Sequence, residues 1–158
     1  MIVVKLDAFS VLKRPVWQKA FGRNKTWRGF VVVPLATTLG CYVAAQLQRL
    51  APATVQLDLG EKWLSLGFLL GFAYVLFELP NSFIKRRLGV KEGQLPNQHK
   101  ALFFAMDHLD SATGCCLVYV YYLQISLVMT ITALLWGVVI HSVVNYVLYL
   151  LHIRQSPT

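Results

Sequence analysis

Charged residues are scarce in this sequence, and long uncharged runs take their place. Only 14% of the 158 residues are Asp, Glu, Lys or Arg, whereas 56% are hydrophobic. A soluble domain carries about 25% charged residues. The mean hydropathy is +0.54. The chain has too little polar surface to cover a water-facing globule, so the composition argues against a soluble enzyme. It indicates a single integral membrane domain over residues 1–158.

Acidic residues and cysteines are also few, and no internal repeat is visible. The chain has seven Asp and Glu residues and 15 Lys and Arg residues, which gives a net charge of +8. This positive charge favours partners that carry phosphate. Nucleic acid is not expected as a partner, because the cations lie beside apolar runs. The three cysteines are predicted to pack as small apolar residues. The missing repeat argues against a transporter built from paired half-spans. The cysteines are Cys41, Cys115 and Cys116.

The uncharged runs predict an all-α polytopic bundle of about four transmembrane helices. We place these at about 29–48, 63–84, 102–124 and 126–152. Twenty residues suffice for a hydrocarbon core of about 30 Å at about 1.5 Å per residue. The run 111–153 has no charge over 43 residues, roughly two hydrocarbon thicknesses, so we predict a break near Gln124 to Ser126. Pro34 is expected to kink the first helix.

The basic residues are distributed unevenly among the connections. Seven precede the first span, two lie in the first connection, five in the second, none in the third and one in the tail. The positive-inside rule therefore places both termini, the basic segment 1–28 and the middle connection in the cytoplasm. The protein is expected in the cell membrane, with its polar site on the side where nucleoside triphosphates are found. The first 28 residues lack the apolar segment of a secretory signal.

The stretch FGRNKTWRG, residues 21–29, places three cations directly before the first apolar run. Arg23, Lys25 and Arg28 are compatible with a topology signal, a lipid headgroup anchor or part of a phosphate site. Trp27 at this position is typical of the aromatic belt at a membrane interface. The stretch alone does not separate these alternatives.

The stretch ELPNSFIKRR, residues 78–87, places an acid and an amide inside an apolar run. Glu78, Asn81 and Lys85 have the spacing i, i+3, i+7 and share a helix face if Pro80 does not break the turn. Polar groups at this depth indicate function by default. The alternatives are a structural ion pair for Glu78 and an interhelical hydrogen bond for Asn81. The expected partners of the Glu78 carboxylate are three cations: Lys85, Lys25 and Arg28.

Two further stretches carry polar pairs. In MDHLDSATG, residues 106–114, Asp107 and Asp110 are three apart on one face, a spacing that suits Mg²⁺ shared with substrate phosphates. The alternative is that Asp110 caps a helix beginning there, which explains only one aspartate. In HSVVNYVLYLLH, residues 141–152, His141 and Asn145 share a face, and an interhelical hydrogen bond is the expected role.

Together, the stretches FGRNKTWRG, ELPNSFIKRRLGVKEG, MDHLDSATG and HSVVNYVLYLLHIR resemble the CDP-archaeol synthase family of membrane cytidylyltransferases. The resemblance runs from about residue 21 to residue 154, and NKTWRG is its most specific element. A more distant similarity is to the CDP-diacylglycerol synthases, whose signature pairs Ser-x-x-Lys-Arg with a later Asp-x-x-Asp. The resemblance implies that CTP and a lipid phosphate react, with Mg²⁺, to give a CDP-lipid and pyrophosphate.

The resemblance also implies roles for individual residues. Lys85, Asp107 and Asp110 are the implied catalytic residues, and the two aspartates with Glu78 are the implied metal ligands. The residues implied to bind nucleotide or lipid phosphate are Asn24, Lys25, Thr26, Arg28, Asn81, Ser82, Arg86 and Lys91.

The sequence departs from the family pattern in two places. Members usually begin with an additional span where this chain has a basic segment, and their third motif commonly reads Asp-Gln-Leu-Asp where position 108 here is His. A truncated active form, an obligate oligomer and a changed lipid substrate all stay open as explanations. Ether-linked and ester-linked lipids are not distinguished by the sequence. A non-catalytic protein that binds anionic lipid is the alternative function, and it has no need of paired aspartates.

Overall fold

The computed structural model describes residues 10–50, 52, 59–90 and 100–151; within these ranges, the side chains at positions 100, 101, 104, 108, 141 and 145 are not described. This part of the chain is helical and contains no β-strand, which confirms the predicted all-α class. Short 3-10 turns lie at Ser10–Lys13, Gln48–Leu50 and Gly60–Lys62. The α-helices are α1 (Gln18–Phe21), α2 (Trp27–Leu47), α3 (Trp63–Arg87), α4 (Lys100–Tyr122) and α5 (Leu127–Leu150).

Three described segments are long and apolar enough to cross a membrane: Trp27–Leu50, Gly60–Arg87 and Leu127–Leu150. They contain α2, α3 and α5, so the chain forms a membrane helical bundle. The fourth predicted span corresponds to α4, a 23-residue helix that carries Asp107 and Asp110. The passage of α4 through the membrane stays a prediction.

The observed helix ends differ from the predicted spans mainly in α3. This helix continues to Arg87, whereas the span was predicted to end at residue 84. The additional turn consists of Lys85, Arg86 and Arg87, whose positive charges are favourable beside the partial negative charge of a helix C-terminus. Pro80 lies inside α3 without ending it. The face that carries Glu78, Asn81 and Lys85 is therefore continuous.

The predicted break between the last two helices is present. Helix α4 ends at Tyr122 and α5 begins at Leu127. Between them, Gln124 has a φ of 54°, a left-handed conformation that interrupts a helix. The Ser126 side chain then caps α5 by accepting a hydrogen bond from the Met129 N–H at 3.4 Å.

Helices α2 and α3 pack with their backbones in close approach. A Cβ atom added to Gly67 or Gly71 would lie less than 3.0 Å from backbone atoms of Thr38 or Pro34, respectively. The Thr37 hydroxyl donates a hydrogen bond across the interface to the Gly67 carbonyl at 2.8 Å. Glycines four residues apart are a common solution for helix contact in lipid, where burial of apolar surface provides little driving force.

Helix α3 also packs against α4, and α4 packs against α5. A Cβ atom on Gly114 would lie 2.7 Å from the Phe77 ring, so this glycine allows α4 to approach α3. The contacts of α3 with α1, α2 and α4 make it the central helix of the described bundle. Its C-terminal turns meet the beginning of α2 and the first half of α4 at one end.

Candidate active site

One amide group joins the two aspartates of α4. The Asn81 Nδ2 donates to Asp107 Oδ1 at 2.6 Å and to Asp110 Oδ2 at 3.0 Å. Asn81 is 5% exposed, whereas the Asp107 side chain is 37% exposed, so the shared amide is buried while this carboxylate stays accessible. Both aspartates therefore face α3, as their three-residue spacing on α4 predicts.

Lys85 provides the positive charge of the same cluster. Its Nζ donates to both oxygens of Asp107, at 2.5 and 2.6 Å, and the residue is buried. Asp110 is held on its other oxygen by the Ser111 N–H at 2.6 Å. Because α4 begins at Lys100, Asp110 lies in the helix interior, and the alternative that it is an N-cap is wrong.

A second ion pair adjoins this cluster. Lys25 forms an ion pair with Glu78, and their side chains are 23% and 25% exposed. Lys25 is one of the three partners expected for Glu78, whereas Lys85 pairs with Asp107 instead. Glu78 precedes Asn81 by three residues on α3, which places both on one face of the helix, so the two ion pairs adjoin in one polar cluster.

The segment before α2 positions Lys25. Residues 10–26 fold back on themselves, and we call them the N-terminal hairpin. The Val16 N–H donates to the Lys25 carbonyl at 2.9 Å, and the Trp27 N–H donates to the Arg14 carbonyl at 3.2 Å. The hairpin also contacts α3, because the Phe21 ring lies 6.4 Å from the Phe83 ring. These contacts fix the backbone at Lys25 beside Glu78.

Two buried polar atoms in this region find no hydrogen-bond partner within the described part of the chain. They are Asn81 Oδ1 and Arg86 Nε. A buried polar group without a partner costs about 1–3 kcal/mol. Both atoms lie on the turns of α3 that carry the cluster, where an external ligand with complementary groups would remove this cost.

The donor set fits Mg²⁺. Two carboxylates and an amide oxygen are hard oxygen ligands, and Mg²⁺ in phosphate sites takes one or two carboxylates while water and substrate supply the rest. Among the described residues, no group of three or more His, Cys, Asp or Glu side chains forms a complete metal site. Glu78, expected as a third ligand, is paired with Lys25.

The remaining predicted residues lie near the same end of the bundle or outside the described residues. Asn24 is exposed in the hairpin, and Thr26 precedes α2 without a capping bond from its side chain. Arg28, Ser82 and Arg86 are half-buried near the same end of the bundle. Lys91 lies outside the described residues. His141 and Asn145 lie on α5, and their interhelical hydrogen bond stays a prediction.

A cavity of about 250 Å³ lies between α3, α4 and α5 beside the cluster. Ser111, which follows Asp110, and Tyr74 line it near the cluster, and Cys115, Tyr119 and Gly137 line it further away. Tyr74, which lines this cavity together with Ser111, was not predicted from the sequence. A tyrosine in an apolar run carries no distinguishing signal. Gly67 and Gly71 were also missed, although their four-residue spacing is a signal.

Comparison with known proteins agrees with the motifs. The family model described as CarS-like, CDP-archaeol synthase, matches residues 17–158. The CDP-archaeol synthase of Pyrobaculum aerophilum is 32% identical over 141 residues, which are 89% of this chain and 74% of the relative. Those of Sulfolobus acidocaldarius and Archaeoglobus fulgidus are 26% and 27% identical over 89% of this chain and 76% and 77% of the relatives. No solved structure matches the chain. This chain belongs to the CDP-archaeol synthase family.

Proposed function

We propose that this protein is a CTP-dependent cytidylyltransferase that converts a membrane lipid phosphate into a CDP-lipid and releases pyrophosphate. The observation that carries the proposal is the cluster in which Asn81 and Lys85 hold Asp107 and Asp110. A pair of aspartates beside a buried cation, at one end of a membrane bundle, suits a reaction between a nucleotide and a lipid headgroup. The relatives named CDP-archaeol synthase support an archaeol-type lipid phosphate as substrate.

The reaction needs little covalent chemistry from the protein. A lipid phosphate is already an anion at neutral pH, so its attacking oxygen needs no general base. One of its oxygens attacks the α-phosphorus of CTP, the bond from that phosphorus to the β-phosphate oxygen breaks, and pyrophosphate leaves. Such transfers depend on positioning and on neutralisation of phosphate charge.

The cluster residues match these two tasks. Asp107 and Asp110, with the unpartnered Asn81 Oδ1, would hold Mg²⁺, which when bound offsets the charge of the reacting phosphates and of the departing pyrophosphate. The Asn81 amide keeps the two carboxylates at a fixed separation. Lys85 neutralises charge beside Asp107 and offers its ammonium to phosphate oxygens. Arg86 presents an unpartnered Nε to the same ligands.

The N-terminal side closes the phosphate site. Lys25, oriented by Glu78, would contact phosphate oxygens together with Arg28, and Asn24 and Thr26 would add neutral hydrogen-bond donors. These residues adjoin the start of α2, where a lipid headgroup arrives at the membrane surface. The positive-inside distribution supports a cytoplasmic position for this end, where CTP is found. Under this proposal, the cations of the basic stretch serve topology and phosphate binding together.

The test is turnover by the purified full chain in detergent. The assay contains Mg²⁺, α-labelled CTP and lipid phosphates with ether-linked or ester-linked chains. We expect label to enter the lipid phase, with the ether-linked substrate preferred. The Asp107→Asn, Asp110→Asn double variant should lose at least about 100-fold in rate, because it removes both charges that hold the phosphate-bound cation.

The matched control is Glu61→Gln. Glu61 is an exposed acid next to the start of α3, roughly 35 Å along the helix from Lys85 at about 1.5 Å per residue. Its replacement removes one negative charge, where the double variant removes two, and should leave turnover unchanged. Binding of Mn²⁺ by the wild type and its loss in the double variant, followed by electron paramagnetic resonance, test the metal site without turnover. If the folded wild type shows no turnover and the double variant still binds lipid phosphate, the alternative of a non-catalytic lipid-binding protein is favoured.

A further inference from the structure

The N-terminal hairpin exposes a set of cations and contains no acidic residue. Residues 10–26 contain five basic residues and no Asp or Glu, and Lys25 is paired with Glu78. The other four are exposed. Two apolar side chains are exposed on the same segment, Val11 at 86% and Trp17 at 61%. The four exposed cations are Lys13, Arg14, Lys19 and Arg23.

The hairpin lies at the level where α2 enters the membrane. Its Arg14 carbonyl accepts a hydrogen bond from the Trp27 N–H at 3.2 Å, and Trp27 is the first residue of α2. Trp27 is half exposed, as expected for a tryptophan at the boundary between hydrocarbon and water. The contact between Phe21 and Phe83 ties the middle of the hairpin to the cytoplasmic-side turns of α3. The hairpin is therefore held at the bundle surface at headgroup depth.

We infer that the N-terminal hairpin is a docking surface for the anionic surface of the bilayer. Its cations bind lipid phosphates, while Trp17 and Val11 enter the interface between headgroups and chains. The combination of basic residues with exposed Trp and Val is the composition of interfacial membrane-binding segments. A surface for a soluble anion would have no use for the two apolar side chains. The inference goes beyond the proposed enzyme activity, because it requires neither CTP nor turnover.

The first measurement is the depth of Trp17. The full chain is reconstituted into lipid nanodiscs whose acyl chains carry bromine, a quencher, either near the headgroup or deep in the core. The fluorescence of the Trp17→Phe variant is subtracted from that of the wild type, which separates the signal of Trp17 from that of the other three tryptophans. The phenylalanine keeps an aromatic contact with Phe21. Interfacial segments lie roughly 5–10 Å into the headgroup boundary, so shallow bromine should quench Trp17 at least about twofold more than deep bromine.

The second measurement tests the charges. We expect quenching by shallow bromine to be stronger in nanodiscs with anionic lipid than in zwitterionic ones. The four cations are replaced in the variant Lys13→Gln, Arg14→Gln, Lys19→Gln, Arg23→Gln, which should abolish the difference. The control, Arg49→Gln with Lys62→Gln, removes two exposed cations from the other end of the bundle and should preserve the difference.

Three results would overturn the inference. If neither shallow nor deep bromine quenches Trp17 and aqueous iodide quenches it fully, the hairpin faces water. If quenching by shallow bromine is still stronger in anionic nanodiscs with the quadruple variant, the four cations of the hairpin do not bind headgroups. Protection of Trp17 from iodide by CTP alone, in zwitterionic nanodiscs, would assign the surface to the nucleotide.

Discussion

The Asn81 side chain joins the two aspartates. Its Nδ2 donates to Asp107 and Asp110, and it is almost fully buried. We expect Asn81→Leu to leave two carboxylates without their shared donor. Hydrogen bonds to charged groups contribute about 1.5–3 kcal/mol, so we expect kcat to fall roughly 10- to 100-fold, with a lower midpoint of thermal unfolding.

The control for Asn81 is Thr113→Ala. Thr113 is exposed on α4 and donates only within its own helix, to the Leu109 carbonyl at 2.6 Å. Turnover and the unfolding midpoint should both be unchanged. If Asn81→Leu retained wild-type kcat, the amide would not organise the aspartates, and the assignment of the site would be wrong.

The ion pair between Lys25 and Glu78 connects the N-terminal hairpin to α3. Both side chains are about three-quarters buried, so each single replacement, Lys25→Met or Glu78→Gln, leaves a poorly solvated charge. We expect a double-mutant cycle on detergent unfolding to give a favourable coupling of about 0.5–3 kcal/mol. The exchanged variant Lys25→Glu, Glu78→Lys should recover stability but not turnover, because it moves the cation away from the phosphate site. Recovery of both would show that the pair is only structural.

At the scale of elements, the ends of the helices were predictable because charges mark them. The uncharged runs gave α2, α5 and the break at Gln124 to within a few residues. The extension of α3 beyond residue 84 was not predicted, because a basic turn is compatible with either a helix end or a loop. The pairing of Lys85 with Asp107 was also missed. That pairing depends on the relative position of α3 and α4, which Gly114 and Phe77 set through their contact.

The interface between α2 and α3 depends on Gly71. A Cβ atom there would lie less than 3.0 Å from the Pro34 backbone, so the two helices would have to separate. Overpacking of this kind costs about 1–3 kcal/mol, and we expect Gly71→Ala to lower the thermal unfolding midpoint. Gly40→Ala on α2 is the control, because nothing lies within 4 Å of its added methyl group.

The two glycine variants should change stability in opposite directions. Alanine is favoured over glycine inside a helix by about 1 kcal/mol, so Gly40→Ala should be neutral or slightly stabilising. At Gly71 the same gain is offset by the clash with Pro34. A Gly71→Ala protein as stable as the wild type would mean that the close approach of α2 and α3 is not required.

At the scale of the whole molecule, every element of the candidate site comes from one end of the bundle. The N-terminal hairpin, directly before α2, supplies Lys25, the last turns of α3 supply Asn81 and Lys85, and the first half of α4 supplies the aspartates. Antiparallel neighbours bring these segments together because α3 runs opposite to α2 and α4. The arrangement explains why polar residues far apart in sequence cluster while the rest of each helix stays apolar. The proposed function also requires this end of the bundle to lie on the side of the membrane that contains CTP.

The orientation of the bundle can be measured with single cysteines labelled in intact cells. The positive-inside distribution places Lys19 and Arg87 in the cytoplasm and Glu61 and Leu127 outside. All four side chains are exposed, so each accepts a cysteine with little structural cost. We expect a membrane-impermeant maleimide to label Glu61→Cys and Leu127→Cys at least about tenfold more than Lys19→Cys and Arg87→Cys, because the bilayer blocks access to the cytoplasmic side.

A permeant maleimide is the positive control, because it should label all four variants. The wild type, whose three cysteines are half-buried, gives the background labelling. Strong labelling of Arg87→Cys by the impermeant reagent would put Lys85 and the aspartates outside the cell, away from CTP. The cytidylyltransferase would then lack its nucleotide, and the proposed function would fail together with the orientation. Labelling confined to Glu61→Cys and Leu127→Cys would place Lys85 and the proposed CTP site on the side of the membrane where the nucleotide is made.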